Sequence, residues 1–121
     1  MSEKDKHNRL LKSEILRKKK DFRHIFTIAK SMSNSNFTLR YLECPKRAVA
    51  FLVSHSVASK AVTRNRIKRH LRETYRTNKD KFLENYTYVF LARSGTVNLN
   101  LDKIREETLS LAEKVKQQTL N

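Results

Sequence analysis

The chain has 121 residues, room for one compact domain, and carries 27 Lys and Arg against 12 Asp and Glu, a formal net charge of +15. That excess points to a polyanionic partner, with nucleic acid ahead of an anionic membrane surface. A single glycine excludes Gly-rich phosphate loops, a single cysteine (Cys44) excludes an internal disulfide or Cys-rich zinc site, and no apolar run nears the roughly 18 residues that span a bilayer.

Residues 1–15 are polar and mixed in charge, and read as a flexible basic arm ahead of one domain over residues 16–118. No hydrophobic segment follows the first residues, so no secretory signal is expected, and with the lone cysteine this makes the cytoplasm the expected location. Asp21 is placed to cap a short helix in which Phe22, Ile25, Phe26 and Ala29 recur at helical spacing. Residues 31–36 form a polar break, and the alternation over 37–42 predicts a strand. After a turn at residues 43–46, the run Ala48-Val49-Ala50-Phe51-Leu52-Val53 is apolar on both faces, as in a strand covered from two sides.

A polar connection ends at Ser59, a plausible cap for a basic helix over residues 60–78. Residues 86–93 predict another strand, with Tyr86, Tyr88 and Phe90 on one face and Val89 and Leu91 on the other. A last helix spans 102–117, with Leu101, Ile104, Thr108, Leu111, Ala112 and Val115 along its inner side. The expected order is helix, two or three strands, helix, strand, helix. That is an α+β sandwich: a small mixed sheet packed with three helices.

The basic helix carries most of the information. Arg64, Arg66, Lys68, Arg69 and Arg72 place five cations in ten residues, beside Asn65. At about 100° per residue, Ile67, Leu71 and Tyr75 share one stripe, while Asn65, Lys68, Arg69, Arg72 and Arg76 cluster opposite. Such a helix docks through its apolar stripe and presents a cationic ridge. A solvated charged face is the bland alternative, but the one-sided concentration and the uncompensated charge favour RNA or DNA contact. Arginine suits phosphate because its planar fork meets two oxygens at once.

Catalytic patterns are missing. Acids are scattered, the four histidines are isolated in sequence, and no His-x-His or Asp-x-Asp spacing suggests a metal site. No nucleophile–base pair stands out for Ser or Cys44. Phe22 and Phe26, one turn apart, suit either core packing or base stacking, and Arg40 and Arg93 either line a groove beside the sheet or are edge charges. A ribosomal or other structural RNA-binding protein, a DNA-binding regulator and an intrinsic metallonuclease are the rival classes.

Arg64-Asn65-Arg66-Ile67-Lys68-Arg69-His70-Leu71-Arg72-Glu73 closely resembles the signature of the bacterial ribonuclease P protein family. Asp21-Phe22-Arg23-His24-Ile25-Phe26 is similar to that family's N-terminal helix, and residues 37–39, 47–54 and 88–93 to its strands, in the same order over about residues 10–117. The resemblance implies a ribosomal-protein-like α/β sandwich whose strand–helix–strand crossover is left-handed, against the general rule. It also implies an RNA-binding subunit of a ribonucleoprotein endonuclease that removes the 5′ leader of precursor tRNA.

In such a complex the RNA holds the active site and most of the Mg²⁺, and the protein alone is not expected to be catalytic. The implied partners are the catalytic RNA and precursor tRNA, with no membrane and no obligate protein partner. Arg64, Asn65, Arg66, Lys68, Arg69 and Arg72 are the implied contacts of the motif helix. Phe22, Phe26, Arg40 and Arg93 are the implied leader cleft, with at least one phenylalanine exposed. Arg40 stands where the family often has an aromatic residue, so a phosphate or cation–π contact is expected there. The loop Ser54-His55-Ser56-Val57 lacks the lysines common in the family.

Overall fold

A computed structural model describes residues 14–16 and 18–120. Its elements, in chain order, are α1 (Lys19–Ile28), β1 (Lys30–Ser33), β2 (Phe37–Glu43), β3 (Ala48–Leu52), α2 (Ala61–Thr77), β4 (Tyr86–Ala92) and α3 (Leu101–Leu120). Short 3-10 turns occupy Lys79–Lys81 and Ser94–Asn98. The four strands form one mixed sheet in the order β1-β2-β4-β3, with β3 and β4 parallel and the other pairs antiparallel. The expected α+β architecture of a small mixed sheet with three helices is therefore present.

Alternation decides which side chain faces which layer. Phe37, Leu39 and Tyr41 of β2, Val49 and Phe51 of β3, and Tyr88, Phe90 and Ala92 of β4 point to one face and join a single cluster. The stripe Ile67, Leu71, Tyr75 of α2 and the row Ile104, Leu111, Ala112, Val115 of α3 close over it. Ile67 is 0% and Leu71 1% exposed, so the predicted inner stripe is fully buried. The opposite face carries three cross-strand rows: Leu52–Leu91–Thr38, Ala50–Val89–Arg40 and Ala48–Thr87–Leu42. Helix α1 lies over this face, with Ile25 packed on Ala50 and Val89 of the middle row. β4 is apolar on both sides because helices cover both of its faces.

Several details depart from the sequence expectations. Asp21 does not cap α1; the helix begins two residues earlier, with Lys18 at the cap position and Asp21 inside the first turn, where a carboxylate favours the helix dipole. Ser59 does not cap α2 either, since Lys60 holds that position without a side-chain bond. Asn100 does cap α3, its Oδ1 accepting the Lys103 N–H at 2.9 Å. The polar break over 31–36 contains most of β1, an edge strand in which only Met32 is even half-buried. Polar side chains there satisfy the edge without contributing a core pattern. The β1–β2 turn is set by Asn34, whose Oδ1 accepts the N–H groups of Asn36 and Phe37 at 3.0 and 2.8 Å.

The arm expected over residues 1–15 lies outside the described residues as far as residue 13. Glu14 and Ile15 belong instead to the folded body: Ile15 bridges to Val49, and Glu14 Oε1 accepts Lys79 Nζ at 2.7 Å in a buried ion pair. Arg47 secures the same corner by donating to the carbonyls of Lys79 and Phe82 at 3.1 and 2.9 Å. At Gly95 an added Cβ would collide with Asn36 Oδ1, so that side chain would have to turn aside, and no positive φ is involved.

If the stripe of α2 is the main anchor of the domain, Leu71→Ala should cost about 3 kcal/mol in denaturant unfolding. Arg69→Ala and Arg72→Ala, on the exposed face, should stay within about 0.5 kcal/mol of the parent. Equal losses for all three would show that the helix does not dock through this face.

Candidate nucleic-acid interface

Asn65, Arg69 and Arg72 are exposed along the outer side of α2, and Lys68 is half-buried on its flank. Arg76 continues the ridge one turn later but pairs with Glu73, three residues back on the same helix. That contact holds the Glu73 carboxyl below its usual range, chiefly through the hydrogen bond from Arg76. Among the described residues Glu73 is the one acid on α2.

Arg64 and Arg66 have an architectural part that spacing alone does not reveal. Arg64 Nη1 donates to the carbonyls of Ala58 and Ser59 at 2.8 and 2.9 Å, securing the loop that enters the helix. Arg66 donates to the carbonyls of Val97 and Leu99 at 2.6 and 3.3 Å, tying α2 to the segment before α3. Both side chains are half-buried. These bonds neutralise no charge, so the guanidinium groups remain cationic and keep donors beyond those already engaged. His70 lies on the same flank as Arg66. Burial first, then the nearby Arg69 and Arg66 charges, lower its pKa below the ordinary histidine value.

The second group of candidates lies on the other face of the sheet. Phe22 and Phe26 are stacked with ring centroids 6.5 Å apart. Phe22 is half-buried against Ala50, Val89 and their neighbours, whereas Phe26 is 40% exposed. The two readings of this pair thus divide between the residues: Phe22 packs and Phe26 offers a ring to solvent. The Arg40 guanidinium sits 5.1 Å from the Phe26 centroid, a cation–π contact, and donates to the carbonyls of Phe26 and Ala29 at 2.9 and 3.3 Å. Tyr41, the next residue, points into the opposite core.

Arg93, just past β4, is exposed, and its Nη1 donates to the Asn34 carbonyl at 3.2 Å. Because β3 and β4 are parallel, Arg93 and the chain leading into α2 leave the sheet at the same end. The row Leu52–Leu91–Thr38 is at that end, and all three of its side chains are half-buried. The ridge and the candidate cleft therefore approach one edge of the molecule from opposite sheet faces.

Among the described residues no three His, Cys, Asp or Glu side chains converge. No helix there is long and apolar enough to cross a membrane. Deep tyrosines are structural: burial pushes Tyr88 up to about 12, and its oxygen accepts the Leu83 N–H at 2.9 Å.

A family model described as Ribonuclease P matches residues 10–116. The ribonuclease P protein component of Alkaliphilus oremlandii is 37% identical over 102 residues, covering 83% of this chain and 89% of the relative. That of Pelotomaculum thermopropionicum is 35% identical over 100 residues, covering 81% and 88%. Among solved structures, the RNase P protein of Thermotoga maritima superposes with a TM-score of 0.76 at 27% identity, covering 84% of this chain and 96% of that one. The Staphylococcus aureus RNase P protein gives 0.79 at 23% identity, covering 87% and 97%, a likeness in fold.

The His70 environment has a signed consequence. Above its unfolded value of 6.5 the imidazole is neutral in both states and contributes nothing. As pH falls below that value the unfolded chain takes the proton first, so stability drops until the folded side chain titrates too. An NMR titration should place His70 below 6.5, and His70→Gln should flatten the acid-side decline in melting temperature. An ordinary titration midpoint for His70 would contradict the assigned environment.

Proposed function

Because the chain belongs to the ribonuclease P protein family, we propose that it is the RNA-binding subunit of a ribonucleoprotein endonuclease that removes the 5′ leader from precursor tRNA. On this reading the catalytic RNA contacts α2 through Arg64, Asn65, Arg66, Lys68, Arg69 and Arg72. The single-stranded leader lies in the cleft of Phe22, Phe26, Arg40 and Arg93. Work takes place in the cytoplasm, and the left-handed sense of the β3–α2–β4 crossover is part of the same family-based reading.

The observation that carries the proposal is the division of α2: Ile67 and Leu71 are buried while Asn65, Arg69 and Arg72 face outward. A net charge of +15 on 121 residues lets two polyanions approach one another. Cations on the ridge displace counterions from the RNA, so affinity should fall with salt at about −0.7 in log–log slope per single-strand phosphate neutralised. In the cleft, the Phe26 ring offers a surface for one unpaired base, held in place by Arg40 behind it. Arg93 is free to turn its remaining donors to a leader phosphate. Magnesium is assigned mainly to the RNA as part of the same family-based reading.

The direct test mixes the protein with a bacterial ribonuclease P RNA at low magnesium and follows 5′ processing of precursor tRNA. The protein should stimulate cleavage, and neither the protein with magnesium alone nor its complex with duplex DNA should cleave. Paired charge reversal, Lys68→Glu with Arg72→Glu, should leave the melting transition in place and weaken assembly. It should also make the salt dependence shallower by about 0.7 for each phosphate left without its cation. Normal assembly of that variant would remove α2 as the RNA face. Phe26→Ala should weaken binding of leader-bearing substrate by about 1–3 kcal/mol relative to leaderless tRNA.

A further inference from the structure

Helix α1 sits on the middle cross-strand row through Ile25, with the other two rows on either side of it. The Phe26 side is the candidate leader cleft. On the helix, Phe26 and His24 are about 160° apart, and the His24 side overhangs a second hollow at the opposite end of the sheet. This open hollow of about 440 Å³ has an apolar floor of Leu16, Ile25 and Leu42 and a rim that includes Lys18 and Lys46. Its floor includes the third cross-strand row, Ala48–Thr87–Leu42. A shallower depression adjoins it, sharing Asp21 and His24 and adding Lys20 and Arg23. Across the two, Asp21 is the one acid beside four Lys and Arg side chains.

We propose that this hollow is a second single-stranded RNA subsite, distinct from the Phe26 cleft and separated from it by α1. The proposal rests on the RNA-binding reading of the chain and adds a site to it. The size lies within the roughly 300–1,000 Å³ of small-molecule pockets, room enough for a nucleotide. An apolar floor accepts the flat face of a base regardless of its identity, and lysine and arginine at the rim meet the phosphates on either side. A neutral apolar ligand would leave those cations unused, and a compact anion such as free phosphate would leave the floor uncovered. An RNA strand engages both. In that arrangement α1 divides two RNA segments, one at each end of the sheet.

Cys44 lines the hollow, is half-buried, and is the only cysteine of the chain, so it serves as a built-in reporter. The full-length protein is treated with N-ethylmaleimide with and without an unstructured RNA of about ten nucleotides, within the usual site size of such surfaces. Binding is followed in parallel by fluorescence anisotropy. At RNA about ten times above its Kd, alkylation of Cys44 should slow about tenfold. Lys18→Glu with Lys46→Glu should restore the unprotected rate at an RNA concentration that again saturates the anisotropy signal. Phe26→Ala, on the other flank, should leave the protection at saturation in place.

Saturating RNA with no slowing of alkylation overturns the second subsite and leaves the α2 reading standing. Equal protection by an acidic peptide also overturns it, since the site would then recognise charge alone. Absence of any RNA binding overturns both readings.

Discussion

A chain with 27 basic and 12 acidic side chains cannot neutralise itself, and that shortage of carboxylates shapes how the molecule is held together. Arginine supplies the substitute. Arg40, Arg47, Arg64 and Arg66 each donate to two main-chain carbonyls, and Arg93 to one. Every one of these fastens a segment end: the close of α1, the turn after α2, the entry to α2, the approach to α3 and the β1–β2 turn. A carbonyl accepts the hydrogen bond without cancelling the charge. The fold is therefore braced by the same groups that attract a polyanion, and bracing does not reduce the field they produce.

Ion pairing is used sparingly by comparison. Glu14 and Lys79 pair in a buried corner, where both charges are largely withdrawn from water. Other pairs among the described residues, Glu73–Arg76, Asp102–Arg105 and Lys103–Glu106, join helix neighbours with largely exposed side chains and contribute little individually. Apolar packing carries the stability. Tyr75 closes the α2 stripe with its ring 4.9 Å from that of Phe82 and edge-on to Phe51 and Phe90. Once that stripe is docked, helical geometry alone dictates where Asn65, Arg69 and Arg72 point.

This explains what could be read from the sequence and what could not. Helix α2, strands β3 and β4 and helix α3 announce themselves because each buries a periodic set of side chains. β1 does not, since Lys30-Ser31-Met32-Ser33 pairs through backbone groups and contributes only Met32 toward the core. Asp21 and Ser59 mislead as caps because each has the right chemistry but lies off the cap position, Asp21 three residues past Lys18 and Ser59 one residue short of Lys60. The carbonyl contacts of Arg64 and Arg66 depend on loops folding back beside α2, and no local pattern encodes that. The split between Phe22 and Phe26 is likewise tertiary: α1 rolls so that Ile25 meets the sheet, leaving one ring half-covered and the other open.

The parallel pairing of β3 with β4 also has a kinetic side. β1 and β2 can zip as a local hairpin, but β4 finds its partners only after the chain has looped through the whole of α2, and such distant closure is slow. Until it closes, the crowded guanidinium and ammonium groups of α2 repel one another with no sheet to hold them. A nearby polyphosphate would screen that repulsion during the slow step.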